Sequence, residues 1–378
     1  MLALKQNEIN INDVTQSYIT IPSTSTAGWG SIVNFDITNI GSKIQECYLL
    51  FNLGPITGIT PVGNYPCLCS SFKWFTSISY SCQGQILDII SSDANYISIQ
   101  NNYNDQDRNF FNQASGPYNN ALTRFTMGQT STIYQTILKS YINQVQPEIL
   151  NANHNIRVSV TLDFLQNLID TNGLAGTPLV NINSVSLLVK LQKLSIPTIN
   201  YKLMQLSKIG RYQALFTSNI TQQYIALANS SYCSINLSNM INSNIQWIFS
   251  TIRAINSLTK SSGFNYVNNL LSFNIINSSN ESLTNGSVLA NTAIYIINKD
   301  ATLGSYSTES GGSVFYWFHS TNPIMTYSSG VPTSSRFYNG SEQLQITFSS
   351  PLSQNYQIDI YASSIGIISQ TISNVIKQ

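Results

Sequence analysis

Charge is what this sequence has least of. Only 9% of its 378 residues are Asp, Glu, Lys or Arg, against roughly a quarter in an average soluble protein. The 17 basic and 16 acidic side chains leave a net charge of +1, too little to steer the chain onto nucleic acid or an anionic bilayer. Lys5 is the lone basic residue among the first 42. There is thus no basic arm to neutralise phosphates, and direct sequence-specific nucleic-acid binding is not expected. Histidine is nearly missing, at two residues, His154 and His319, too far apart in sequence to suggest a clustered metal site. Cysteine is sparse and odd in number, at five, which excludes a disulfide-built scaffold and predicts buried free thiols. Cys67 and Cys69 with Cys82 have a weak C-x-C spacing and no histidine nearby, so no metal site is expected. No stretch reaches about 18 uninterrupted apolar residues, and Met1-Leu2-Ala3-Leu4-Lys5 lacks the layout of a signal peptide, so synthesis in a cytosol is expected.

Catalytic signatures are missing too. The sequence contains no phosphate-binding glycine loop, no H-E-x-x-H, no G-x-S-x-G and no EF-hand loop. A glycosidase-like carboxylate pair such as Asp163 with Asp359 is conceivable, but Asp163 reads as an outward residue of an alternating strand. Asp105, Asp107 and Arg108 read as a loop turn rather than a calcium contact. His319 alternates with Phe315 and Trp317, which predicts a hydrogen-bonded structural histidine. No catalytic, cofactor-binding or metal residues are therefore assigned, and no cofactor is expected. The N-x-[ST] triplets at Asn219, Asn277 and Asn339 are no more than this Asn-rich composition yields by chance. Asn172-Gly173, Asn285-Gly286 and Asn339-Gly340 are turn-formers and thermolabile.

What is present in quantity is apolar and uncharged polar side chain: 42% hydrophobic residues, 11% aromatic, with amides and hydroxyls supplying the polarity. That excludes disorder and is enough for two cores. The dominant pattern is alternation. Ile156, Val158, Val160, Leu162 and Phe164 point one way while Arg157, Ser159, Thr161 and Asp163 point the other. The same rhythm runs through Val33/Phe35/Ile37, Ile78/Tyr80/Cys82, Val185/Leu187/Val189/Leu191, Cys233/Ile235/Leu237, Ile245/Trp247/Phe249, Leu344/Ile346/Phe348 and Ile358/Ile360. Many short strands with polar turns mean sandwiches or barrels.

Two segments depart from this rhythm. Between 131 and 146, Ile133, Ile137, Tyr141 and Val145 fall four apart before Pro147, which predicts a helix; a weaker one is expected within 252–273. Both lie in long insertions, 93–150 and 253–290, expected to project from one end of the strands. The halves match in layout, and a connection around Pro197, Lys202, Lys208 and Arg211 places the boundary near 200, giving domains 1–200 and 201–378.

The order of these elements resembles the double jelly-roll major capsid proteins of tailless icosahedral viruses, the lineage of adenovirus hexon and of the tectivirus, virophage and membrane-containing flavobacterial phage coats. Residues 31–37 and 43–53, ending near Pro55, are similar to that family's early strand pair. Residues 72–82, Gly84 and 86–90 look like its central hairpin, and 92–96 like the start of its exterior insertion. Residues 158–164, Pro178 and 185–191 fall where the first roll closes, and 337–340, 344–348 and 358–368 match the family's C-terminal style. The match is weakest over 211–320.

The resemblance implies an all-β chain of two consecutive eight-stranded jelly rolls, with short helices in the long inter-strand insertions. It implies a non-enzymatic shell protein that forms homotrimeric, pseudo-hexagonal capsomers and resides in the virion after synthesis in the host cytoplasm. Its partners would be copies of itself, neighbouring capsomers, and minor capsid and vertex proteins, and the resemblance admits an internal membrane beneath the shell. Low charge suits that role, since amide and hydroxyl surfaces pair without the desolvation cost of ions. The alternative from another class is a β-sandwich carbohydrate- or receptor-binding module, a spike or adhesin, in which exposed Tyr and Trp stack on sugars.

Overall fold

The computed structural model describes residues 14–38, 42–60, 66–102, 114, 132–138, 155–171, 173–255, 270–284, 288–289, 315–319, 335–371 and 375–377. In the first half these form β1 (Val14–Pro22), β2 (Ile32–Ile37), β3 (Ser42–Leu53), β4 (Cys67–Leu68), β5 (Phe75–Cys82), β6 (Gln85–Ser91), helix α1 (Ser92–Asn102), β7 (Thr132–Leu138), β8 (Ile156–Leu162), the single turn α2 (Leu165–Leu168), β9 (Ile169–Asp170) and β10 (Ile182–Leu194). Helix α3 (Ile196–Ile209) follows. The second half holds β11 (Tyr212–Ala226), β12 (Tyr232–Asn236), β13 (Ser243–Ala254), β14 (Leu270–Ile276), β15 (Val288–Leu289), β16 (Phe315–Phe318), β17 (Arg336–Tyr338), β18 (Gln343–Phe348), β19 (Tyr356–Gln370) and β20 (Val375–Lys377).

Strand order makes the architecture plain. In the first half one sheet runs β1-β10-β3-β7 and the other β2-β8-β5-β6; in the second half the corresponding sheets run β11-β19-β13-β16 and β12-β18-β14-β15. With the small pairs β4/β9, β17 and β20 set aside, the second set repeats the first strand for strand. All of the pairings are antiparallel. Each half is an eight-stranded jelly roll, two sheets closing on one core.

The alternation seen in sequence is what fills those cores. Val33, Phe35 and Ile37 lie opposite Val160, Val158 and Ile156, and Ile78 and Tyr80 flank the same pair of valines from β5. All eight are buried. The facing sheet contributes Leu49 beside Leu187 and Phe51 beside Val185. Trp74 stands edge-on to Phe51 and to Trp29, at centroid distances of 5.0 and 5.9 Å. Each of these two indoles finds an acceptor, Trp74 Nε1 at the Cys69 carbonyl and Trp29 Nε1 at the Val180 carbonyl, which satisfies its polar edge. In the second roll Cys233 and Phe273 flank Ile346, and Ile235 and Ile275 flank Leu344. The β5–β6 hairpin turns on Gln83 and Gly84, both at positive φ, 50° and 83°, the left-handed pair that matches strand twist in a two-residue loop.

Several expectations need correction. Residues 132–138 form a strand beside β3, not a helix. A four-residue spacing is also a multiple of two, so Ile133 and Ile137 satisfy both periods, and the Thr, Ile and Tyr content of the segment favours the extended form. Residues 139–146 lie outside the described residues. In the second expected helix, residues 252–254 end β13 and 270–273 open β14, and 256–269 lie outside the described residues. The supposed insertions 93–150 and 253–290 therefore contain roll strands, β7 in one and β14 and β15 in the other. The connection at Pro197 is helical, with the proline in the first turn where its missing N–H costs nothing.

Candidate functional site

The polar chemistry worth following in this fold lies where the two rolls meet. Strand β13 is buried at every position from Ile245 to Ala254, and β19 at every position but Gln357 between Tyr356 and Ser364. A strand buried on both faces is sandwiched between two layers. On one face Ile248, Ile252, Ile358, Ile360 and Ala362 belong to the second roll's own core. On the other, Trp247, Phe249 and Tyr361 belong to the apolar cluster of the first roll, which α1 extends with Ala94, Tyr96 and Ile97. The three aromatic rings stack in file, Trp247 on Phe249 at 5.0 Å and Phe249 on Tyr361 at 4.8 Å.

The split between faces depends on a bulge. Pairing of β13 with β19 shifts register between Ile245 and Trp247. Gln246 is the extra residue, its side-chain oxygen accepting from Ser363 Oγ at 3.2 Å. The bulge moves Trp247 and Phe249 off the face that Ile245 occupies, so the three do not share one face as their spacing suggested.

Beyond the aromatic file the seam carries ions. Arg253 Nη2 lies 2.7 Å from Asp359 Oδ2 and 3.2 Å from Asp93 Oδ2, and all three side chains are buried. Asp93 comes from the first turn of α1, a helix opened by Ser91, whose Oγ accepts from the Ala94 N–H at 3.1 Å; the helix N-terminus itself favours a carboxylate. Gln357 Nε2 donates to the other oxygen of Asp359 at 2.8 Å. Tyr361 donates its hydroxyl to Asp93 Oδ2 at 3.4 Å. Burial, followed by the charges of Asp93 and Asp359, holds that phenol well above its ordinary pKa. At the edge of the sheet, Asp88 of β6 accepts from the backbone N–H of Asn219 at 3.0 Å and from its side-chain amide, covering an otherwise open edge of β11. The seam thus joins β6 and α1 of one roll to β11, β13 and β19 of the other.

Of the residues singled out from sequence, Asp359 lies in this seam, paired with Arg253, and the other described ones fall elsewhere. Asp163 and Asp359 each have their own partners. Asp163 is buried rather than outward, because β8 ends at Leu162 and the carboxylate turns in to accept from Phe164 N and Asn167 Nδ2, both at 2.8 Å. His319 bonds the Tyr338 hydroxyl through Nε2 at 2.8 Å. Burial, then the charge of Arg336, lowers its pKa to about 4. Cys47, Cys69, Cys82 and Cys233 are buried free thiols. Among the described residues no three His, Cys, Asp or Glu side chains gather as a metal site. His154, Asp105, Asp107 and Arg108 lie outside the described residues. The outer face of the first roll carries the Arg157–Asp36 pair, bidentate at 2.7 and 3.0 Å, which holds the Asp36 carboxyl below its usual range through that hydrogen bond.

No protein-family model and no curated protein matches the sequence. Solved structures do match the fold along nearly the whole chain. Vp54 of PBCV-1, a structure fitted into a reconstruction of the virophage Sputnik, superposes with a TM-score of 0.71 at 13% identity, covering 96% of this chain and 97% of that one. The Faustovirus major capsid protein gives a TM-score of 0.69 at 9% identity, covering 94% of this chain and 90% of the other. The mavirus major capsid protein gives 0.55 at 10% identity, covering 100% and 92%. The chain has the double jelly-roll fold that these capsid proteins share.

Proposed function

We propose that this chain is the major capsid protein of a tailless icosahedral virus, a structural and non-catalytic part of the virion made in the host cytoplasm. It acts as a homotrimer whose three pairs of rolls form a pseudo-hexagonal capsomer. The observation that carries the reading is the repetition of one strand order in two consecutive rolls locked face to face by a buried seam. Three-fold symmetry acting on two like walls gives six, and six like walls tile a surface from a single gene product. We place the division between the rolls inside α3, with 1–200 and 201–378 as the two domains.

Surface chemistry supports association with further copies. Ile196, Leu227, Phe164, Leu179 and Phe337 are each more than half exposed, and burying such side chains against further copies would remove apolar area from water. Minor capsid and vertex proteins, and an underlying membrane, are the further partners that a shell of this type would meet.

The test is the mass of dissociated capsomers by light scattering, followed by electron microscopy of the particle. Three times the 41.9 kDa chain mass, with each interface burying upwards of about 2,000 Å², is the expected result. A stable monomer at micromolar concentration would overturn the proposal.

A further inference from the structure

Of the three Asn-Gly pairs, Asn339-Gly340 lies wholly within the described residues. Such a pair is chemically weak because glycine has no side chain to hinder its backbone nitrogen. That nitrogen attacks Asn339 Cγ, its proton passes to water, and the side-chain nitrogen leaves as ammonia, giving a succinimide. Water then opens the ring on either side, leaving aspartate or an isoaspartyl link. The step needs a Gly340 N–H free to lose its proton and an Asn339 amide free to swing onto it.

In this fold both groups are engaged. The Gly340 N–H donates to Glu342 Oε2 at 3.0 Å and the Asn339 N–H to Glu342 Oε1 at 3.3 Å. Asn339 Oδ1 accepts from Ser341 N at 3.0 Å and from Ser341 Oγ at 2.6 Å. Glu342 is itself only 4% exposed. The loop is tied down at both ends, where Asn242 N donates to the Tyr338 carbonyl at 2.8 Å and Leu237 N to the Glu342 carbonyl at 2.9 Å. A carboxylate on the glycine N–H opposes its ionisation by direct charge repulsion and holds it away from Cγ.

We propose that Glu342 guards Asn339 against deamidation, so that the site is modified only when this end of the second roll opens. Conversion would be one-way because the ammonia is lost to solvent, and an aspartate at 339 would set a second negative charge beside the buried Glu342 carboxylate that opposes reclosure of the loop.

The experiment incubates the full-length chain at mildly alkaline pH and follows aspartate and isoaspartate at position 339 by peptide mapping. The folded wild type is expected to react slower than the urea-unfolded wild type by about tenfold or more. Glu342→Gln offers one acceptor oxygen where the carboxylate has two and carries no charge; once circular dichroism shows it folded, its rate should rise toward the unfolded value. Equal rates for folded and unfolded wild type would overturn the proposal, as would a folded Glu342→Gln that reacts no faster than wild type. Ser341→Ala gives a second reading that leaves the carboxylate in place. It should stay close to the folded wild-type rate, and a rate matching the unfolded chain would transfer the guard to Ser341 and overturn the assignment to Glu342.

Discussion

Arg253 is the residue whose loss should cost the seam most. Arg253→Met keeps the length of the stem and removes the guanidinium, leaving Asp93 and Asp359 buried at 5% and 1% exposure with their shared cation gone. Breaking one side of a buried ion pair costs about 3–5 kcal/mol, chiefly as the penalty for the stranded charge. That is a large part of the roughly 5–15 kcal/mol by which a folded domain is held. With a urea slope of about 2–3 kcal/mol per molar, the unfolding midpoint should fall by roughly 1–2 M. The measurement belongs at a single protein concentration, because self-association adds to apparent stability. The companion variant replaces all three, Arg253→Met with Asp93→Leu and Asp359→Leu, and strands no charge. Exchanges of this kind are often neutral or better, so the triple variant should recover most of the loss. If Arg253→Met unfolds within about 1 kcal/mol of wild type, or if the triple variant is as weak as the single one, the stranded-charge argument is wrong.

Burial pushes the Cys47 thiol up to about 12 and those of Cys82 and Cys233 up to about 11. Native protein at mildly alkaline pH should therefore leave all three unmodified by a thiol reagent that labels them in urea. Because the unfolded thiols lose their protons first, stability should fall as pH climbs from about 9 toward 11. His319 has the opposite sign: its native pKa, lowered to about 4 from 6.5, lets the unfolded state bind a proton first. Stability should then decline as pH drops through that interval, and His319→Gln should flatten the slope in urea melts taken across it. Gly58 sits at φ +81° in the bridge between Thr57 and Leu179, where a Cβ would run into the Thr177 carbonyl oxygen. Gly58→Ala should cost about 1–3 kcal/mol, read as a lower Tm by calorimetry.

The rolls were legible because most strands have one wet face. Residues 156–162 alternate without a fault, and the structure buries Ile156, Val158, Val160 and Leu162 as that alternation requires. Legibility failed where a strand has no wet face or where two periods coincide. Ile245, Trp247 and Phe249 look like one side of a strand, and nothing in their spacing marks the bulge at Gln246 that divides them between two cores. Thr132–Leu138 carries a four-residue spacing that predicts a helix, and it is instead a strand paired with β3. The seam was invisible for a different reason. Asp93, Arg253 and Asp359 are distant in sequence and share no motif, and only the packing of α1 against β13 and β19 brings them together. The one available signal was the near-continuous burial-prone run around Trp247 and Phe249 ending in a lone arginine, since a strand with apolar side chains on both faces must be covered twice.

The scarcity of charge therefore has a second meaning. Among the described residues Lys73, Asp88, Asp93, Asp163, Arg253, Glu342 and Asp359 are buried, a large share of inward charge for a chain in which charged residues are 9% of the whole. Hydrophobic contact is non-directional, so an apolar seam would hold two similar sandwiches together without fixing how one is rotated against the other. The guanidinium of Arg253, held at 2.7 and 3.2 Å between carboxylates from the two rolls, defines that rotation, because a small slide strands a charge out of water. Under the proposed capsid role the outer surface has the reverse need. A wall that must meet many copies of itself gains from amides and hydroxyls, which can pair in more than one arrangement at little desolvation cost. Charge is thus spent where a single geometry is required within the chain.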